Sequence, residues 1–439
     1  MSSDRPPAER HASLSRALPV AVRRFLDTEA SGGVLLVAAA AIALVWANSP
    51  WGDSYDTVWH TEVVLRIGSV GVREDAQHFI NDALMALFFL VVGLETKRGL
   101  VAGDLRDRRA AALPVFAAIG GMVVPATIYA VFNTGGAGSA GWGIPMATDI
   151  AFALGVLALL GTRVPSALKL FLLSLAIVDD VGAIVVIAIF YAGNLDPGAL
   201  ALAAGAALGS VVLRRARVHW APIHVALGVG CWFATYNSGV HATLAGVAFG
   251  LLTPARPLAP AVIVRRWTQD MSDDPSAAEL QQLTVVAKET VSPAERLEHL
   301  LHPTTSFIIV PLFALANAGV RIRTDALEAP GTRAVAIGVI GGLVIGKLLG
   351  VLGATWLAVR LRAASLPTGV GWRGLVGAGA LAGIGFTVSL FITGLAFEEP
   401  ELQDAAKLAV LVASVAASVL GAAILVTGRA DGGADDAKP

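Results

Sequence analysis

Twelve stretches of this chain are apolar, almost free of charge and about as long as a membrane-crossing helix, roughly 17–25 residues. Lipid offers a buried backbone no hydrogen-bond partner, so a segment that crosses it must bond to itself, as a helix does. The stretches are residues 30–47, 77–97, 111–132, 144–161, 166–191, 198–213, 221–236, 239–253, 304–320, 334–359, 373–397 and 406–427. The expected fold class is an all-α polytopic membrane protein with twelve transmembrane helices over 30–427. A cytoplasmic segment at 1–29 precedes them and a polar, disordered tail at 428–439 follows. Charge supports this reading: 32 Lys+Arg and 33 Asp+Glu make up 15% of 439 residues, against about a quarter in soluble domains. A soluble multidomain enzyme, a coiled coil and a disordered chain are thereby excluded. The single cysteine, Cys231, excludes a disulfide framework or a multi-cysteine metal site. A net charge of −1 gives no sign of a nucleic-acid partner.

Basic residues orient the spans. The loops on one side carry 25 Lys and Arg, those on the other 6. The rich side belongs in the cytoplasm, so both termini are expected there. Five arginines precede the first span, and Asn48-Ser49-Pro50-Trp51 after it reads as a turn, not a cleavage site. On the outer side, Thr61–Arg73 places β-branched residues around Gly68-Ser69, as a two-residue hairpin would, although an ordinary loop fits as well. In the long inner loop, Ser292-Pro293-Ala294-Glu295 is a capping box with proline at the first helical position. It should open a short helix with Leu297, Leu300 and Leu301 along one face.

Five charged side chains fall well inside the spans: Asp82, Asp149, Asp179, Asp180 and Lys347. A charge at that depth costs several kcal/mol, so each is a functional candidate. Asp179 and Asp180 interrupt the run SLAIVDDVGAI (174–184). Neighbours on a helix point about 100° apart, so one partner cannot neutralise both. They are either ion-paired packing residues or a cation site, since two crowded carboxylates accept a proton or a small, hard, oxygen-seeking cation. In GIPMATDI (143–150), Pro145 and Gly143 lead into Thr148-Asp149. That pattern reads as a helix broken where it lines a cavity, with Asp149 facing a half-helix N-terminus, or else as a proline-kinked helix with a capping aspartate. Lys347 follows glycines at 338, 342 and 346 and precedes Gly350. The stripe lets another helix come close, and the lysine needs a carboxylate, either as a structural salt bridge or as a coupled proton carrier. Gly377, Gly379, Gly383 and Gly385 mark a second glycine-interrupted span, or a closely packed one.

On these motifs the chain resembles the NhaA-type bacterial Na+/H+ antiporters. The matching stretches are NDALMA (81–86), GLETKR (93–98), ATDIAFALG (147–155), LAIVDDVGAI (175–184) and SGVHATLAG (238–246). They continue with RLEHLLHP (296–303), PLFALANAG (311–319), IGKLLG (345–350) and GIGFTVSLFI (383–392). The resemblance implies twelve helices with inverted repeats and two discontinuous helices that cross at mid-membrane. The rule that paired broken helices mark an inverted-repeat transporter was drawn in part from this same family. The resemblance further implies electrogenic, pH-regulated exchange of Na+ or Li+ for H+ in the bacterial inner membrane, with no cofactor and no enzymatic activity. Asp180 would be the principal cation and proton carboxylate and Asp179 its neighbour, exchanging a proton or pairing with Lys347, with Na+ held at the two aspartates. Thr148 and Asp149 would flank the unwound crossing and Lys347 would be the buried lysine. A pH-response region would comprise Glu95, Arg98, Glu298, His299 and His302, with His241 as a further candidate; histidine titrates in the right range. Gly99 stands where the family usually has an acidic residue, which bears on pH regulation and not on transport. Homodimers would join through the outer hairpin 61–73.

Three other classes fit less well. An intramembrane aspartyl protease could draw on Asp149 and Asp180, but Lys347 would spoil their shared proton and no Gly-x-Gly-Asp run occurs. A passive channel would need a repeated selectivity loop. A Na+-coupled solute symporter of similar fold is the main alternative and would need an organic-solute pocket.

Overall fold

The computed structural model describes residues 20–427 apart from 68–69, 102, 104–105, 107, 217, 219, 258–259, 261, 265–275, 277–278, 280, 284–288 and 323–327. The expected tail at 428–439 and most of the N-terminal segment lie outside the described residues.

Helices α1 (Val20–Ala47) and α2 (Gly52–Trp59) meet at 116° across the Asn48–Trp51 turn. Next come strands β1 (Glu62–Ile67) and β2 (Val70–Asp75), then α3 (Ala76–Val101) and α4 (Arg108–Asn133). A 3-10 helix, Ala137–Met146, leads to α5 (Ile150–Leu159) at a bend of 47°. Helices α6 (Ser166–Phe190), α7 (Pro197–Arg215), α8 (Ala221–Tyr236) and α9 (Thr243–Leu252) follow. Past the long loop lie α10 (Pro293–Asn317), α11 (Thr332–Arg360), α12 (Trp372–Leu381), α13 (Phe386–Ala396) and α14 (Pro400–Thr427). The bend between α12 and α13 is 44°. Among the described residues seven helices are long and apolar enough to cross a membrane, and the three bent pairs raise this to ten. The two remaining stretches expected to span became α8 and α9, of 16 and 10 residues.

Large apolar side chains face outward along these helices, among them Val45, Val131, Leu202, Val225, Ile308, Leu349 and Val419. So much exposed aliphatic surface is a liability in water and is what lipid requires. The chain is a multi-pass, mostly helical membrane protein.

The glycine stripe works as read. β-carbons at Gly342 and Gly346 would stand 2.7 Å from Pro145 and 2.8 Å from Pro125, and one at Gly350 would run into the Gly120 carbonyl. Helices α4 and α11 therefore touch almost backbone to backbone. The outer hairpin is present, antiparallel from Glu62↔Asp75 to Ile67↔Val70, so its strands run two residues past Arg73; its Gly68-Ser69 turn lies outside the described residues. Nearby, Arg321 donates to Asp53 (2.8 Å) and Asp56 (2.5 Å) and clasps α2 to the segment after α10. The Asp53 hydrogen bond and the Asp56 charge hold its guanidinium above the ordinary value.

One expectation changes form. Ser292 caps a helix as its motif implies, accepting from the Glu295 N–H at 3.2 Å with Pro293 at the first position. That helix is not a short separate one. It runs on past Pro303 through a π-helical turn, Thr305–Ile309, into the apolar segment expected at 304–320. Further π turns interrupt α3 at Ile80–Leu84 and α11 at Gly341–Gly346, just before Lys347.

Candidate cation-binding site

Helix α6 is mostly leucine, isoleucine, valine and alanine, and Asp179 and Asp180 fall midway along it. Both are buried, Asp179 fully. The 100° offset between neighbours decides their partners. Asp179 turns toward α11, where Lys347 Nζ donates to its Oδ2 at 2.5 Å, with neither side chain exposed. Gly121 of α4 lets α11 close in beside the lysine: a β-carbon there would stand 3.0 Å from Val351 Cγ2. Asp180 turns the other way, to a cavity of about 50 Å³ that it lines with Glu95, Thr148, Asp149, His302, Thr305, Ser306 and Thr387. Among the described residues, Asp179 Oδ1 and Asp180 Oδ1 have no hydrogen-bond partner. An orphaned carboxylate oxygen in an apolar interior is costly unless something with positive charge or a proton meets it.

The two breaks face each other. Thr148 Oγ1 donates to Ala382 O (2.8 Å) and Asp149 N to Ile384 O (2.6 Å). At Ala147 and Asp149 the backbone is extended, which frees these groups from helical bonding. Asp149 serves two helix starts at once. Its Oδ1 accepts from Phe152 N (2.9 Å) as the N-cap of α5, and its Oδ2 accepts from Thr387 N (3.0 Å) and Thr387 Oγ1 (2.6 Å) at the head of α13. One negative charge thus meets two positive half-helix ends. Ser389 Oγ fastens α13 to Ile144 O (2.7 Å), and Ser414 Oγ accepts from Phe386 N (3.3 Å).

Thr387, Ser389 and Ser414 were not picked out from sequence. The available signal was a pair of hydroxyls two residues apart, directly after a glycine-rich break. An amide lock was also missed: Asn317 Nδ2 donates to Asn81 Oδ1 (2.8 Å), and Gln77 Nε2 to Ala316 O (2.9 Å), tying α3 to α10.

The structure gathers five of the six residues read as pH-responsive. Glu95 and Arg98 on α3 and Glu298, His299 and His302 on α10 border one large cleft. Arg98 Nη2 lies 3.0 Å from Glu298 Oε1, Glu298 and His302 are buried, and His299 is exposed. His241 stands apart, in the α8–α9 turn, its Nε2 2.6 Å from Tyr191 O. Tyr191 in turn donates to Ala140 O (2.8 Å) and accepts from Gly143 N (3.1 Å). Asp82 is half-buried in the π turn of α3, away from the aspartate pair, and its carbonyl accepts from Trp232 Nε1 (2.9 Å).

Two adjacent buried aspartates, Asp179 paired to Lys347, thus sit beside two helix breaks that hydrogen-bond to each other. A sequence profile described as Na+/H+ antiporter 1 matches residues 23–425. The chain belongs to the Na+/H+ antiporter 1 family. Its relatives include a protein named Na(+)/H(+) antiporter NhaA 3 from Frankia alni, 48% identical over 92% of this chain and 88% of that one. The NhaA of Rhodopirellula baltica is 49% identical over 92% and 93% of the two chains. NhaA 2 of Myxococcus xanthus is 45% identical over 95% and 90%. The antiporter family's profile spans both breaks, the aspartate pair and the buried lysine.

Proposed function

We propose that this chain is a secondary active antiporter that exports Na+ or Li+ in exchange for protons. The observation that carries the reading is the asymmetry at Asp179 and Asp180: two buried carboxylates, one lysine, and an oxygen on each without a partner. A cation bound there replaces protons, and protons arriving replace the cation. Competition for the same oxygens couples the two flows without ATP or a covalent intermediate. Asp180, open to the cavity, is the principal ligand; Asp179 joins when Lys347 releases it, and that release lets the pair carry a proton. Thr148 supplies a neutral oxygen. Asp149 holds the two breaks together beside the site.

The wider reading follows. The chain makes twelve spans with inverted repeats, the two broken helices crossing at mid-membrane. Rocking of the bundle around that crossing alternates access, and more protons than cations move per cycle, so exchange carries current. Both termini are cytoplasmic, in a bacterial inner membrane. Glu95, Arg98, Glu298, His299 and His302 at the inner cleft adjust activity to pH, with His241 contributing through Tyr191. A lone two-stranded hairpin is marginal by itself, which favours β1–β2 pairing with a second copy in a homodimer.

An organic solute seated at Asp180 itself, as in a symporter, is disfavoured by size. The cavity at Asp180 is about 50 Å³, whereas small-molecule sites run from about 300 to 1,000 Å³. Everted membrane vesicles carrying a pH-gradient dye provide the test. Added Na+ or Li+ should release protons and restore fluorescence, more so at alkaline pH, and Asp180→Asn should abolish the response while still inserting. No response to either ion at any pH between about 6.5 and 9 would refute the proposal.

A further inference from the structure

We propose that Thr305 and Ser306 form a second cation station, between the inner cleft and Asp180, with the Thr305 hydroxyl as its oxygen ligand for a monovalent hard cation. This rests on the antiport reading above and adds a binding site to it.

Helix α10 has two unlike faces. Leu297, Leu300, Phe307 and Ile308 are exposed, while Glu298, His302, Thr305 and Ser306 are buried at 3–8% exposure. Positions 298, 302 and 305–306 lie one above another on a helix. They form a polar stripe descending about 12 Å at 1.5 Å per residue. It starts in the cleft, where Glu298 meets Arg98, and ends in the cavity that Asp180 lines. The π turn Thr305–Ile309 begins where the stripe reaches the cavity, and its wider turn brings two consecutive hydroxyl residues, Thr305 and Ser306, to the lining. Gly32 of α1 packs closely on Ser306: a β-carbon there would stand 3.2 Å from Ser306 Cβ.

The hydroxyl protons fix what the cavity recognises. Thr305 Oγ1 donates to His302 O (2.9 Å), Thr148 Oγ1 to Ala382 O (2.8 Å) and Thr387 Oγ1 to Asp149 Oδ2 (2.6 Å). A hydroxyl has one proton and two lone pairs. With the proton committed to protein, lone pairs are what remain for the cavity. Three threonines so arranged, with the Asp180 oxygen that has no partner, make a lining of acceptors. That lining suits a hard cation, which takes carboxylate, carbonyl and hydroxyl oxygens, and there is space for it with a water or two. The cation sheds part of its hydration at Thr305 before Asp180 takes it.

The test uses the full chain in proteoliposomes, with Na+ and Li+ dependence measured at one pH. Thr305→Val keeps the volume and removes the oxygen; Thr305→Ser keeps the oxygen. We expect Thr305→Val to raise the KM for Na+ about fivefold with little change in maximal rate, the loss expected for one oxygen contact. Thr305→Ser should restore it. Thr305→Ala stands in if valine prevents folding. An unchanged KM for both ions in the valine or alanine variant, or a serine variant as impaired as valine, would overturn the station. Absence of exchange in the unmodified chain would instead sink the antiport reading.

Discussion

At the scale of single residues, Lys347 can meet only one of two adjacent aspartates. Lys347→Ala leaves Asp179 buried without a counter-charge, which should cost about 3–5 kcal/mol. Asp179→Asn combined with Lys347→Gln removes both charges and should recover most of that loss. Thermal unfolding of the detergent-purified variants measures both, and equal losses in the single and double variants would mean that the pair is not coupled. Sequence singled out all five deep charges, but the residues alone did not say which carboxylate meets the lysine; only the family resemblance pointed to Asp179. The choice depends on the relative register of α6 and α11, which no local pattern encodes. Thr387 escaped notice for a related reason. A hydroxyl in an apolar helix ordinarily bonds its own helix four residues back, and nothing local says that this one reaches Asp149 across the chain.

At the scale of elements, the glycine stripe and both breaks were legible, because glycine and proline act on their own backbone. Gly350→Val should weaken the α4–α11 contact by about 1–3 kcal/mol or more and lower transport with it, since Gly350 lies one turn from Lys347 and faces Gly120 and Val124. Gly353→Ala is the control, with open space around its β-carbon. Paired measurements of thermal midpoint and exchange rate decide it; equal effects at the two positions would contradict the packing described. The π turns were not legible. Each inserts one residue into a turn, and it is the packing of the whole helix, not its composition, that makes the insertion favourable. The continuity of α10 was not legible either: Pro303 lacks an N–H, which ordinarily interrupts a helix, yet α10 continues through it with the π turn directly after.

At the scale of the whole molecule, the scarcity of charge made the membrane class plain, and the same scarcity isolated the five groups that matter. In the antiport proposed above, the buried aspartates hold either protons or a cation. The most direct test is proton release on cation binding by the purified chain in weak buffer. Adding Na+ or Li+ should acidify the solution, and the apparent affinity should fall about tenfold per pH unit per proton displaced as the pH drops. Asp180→Asn should release none. Cation binding with no proton release, or undiminished release from Asp180→Asn, would contradict the account.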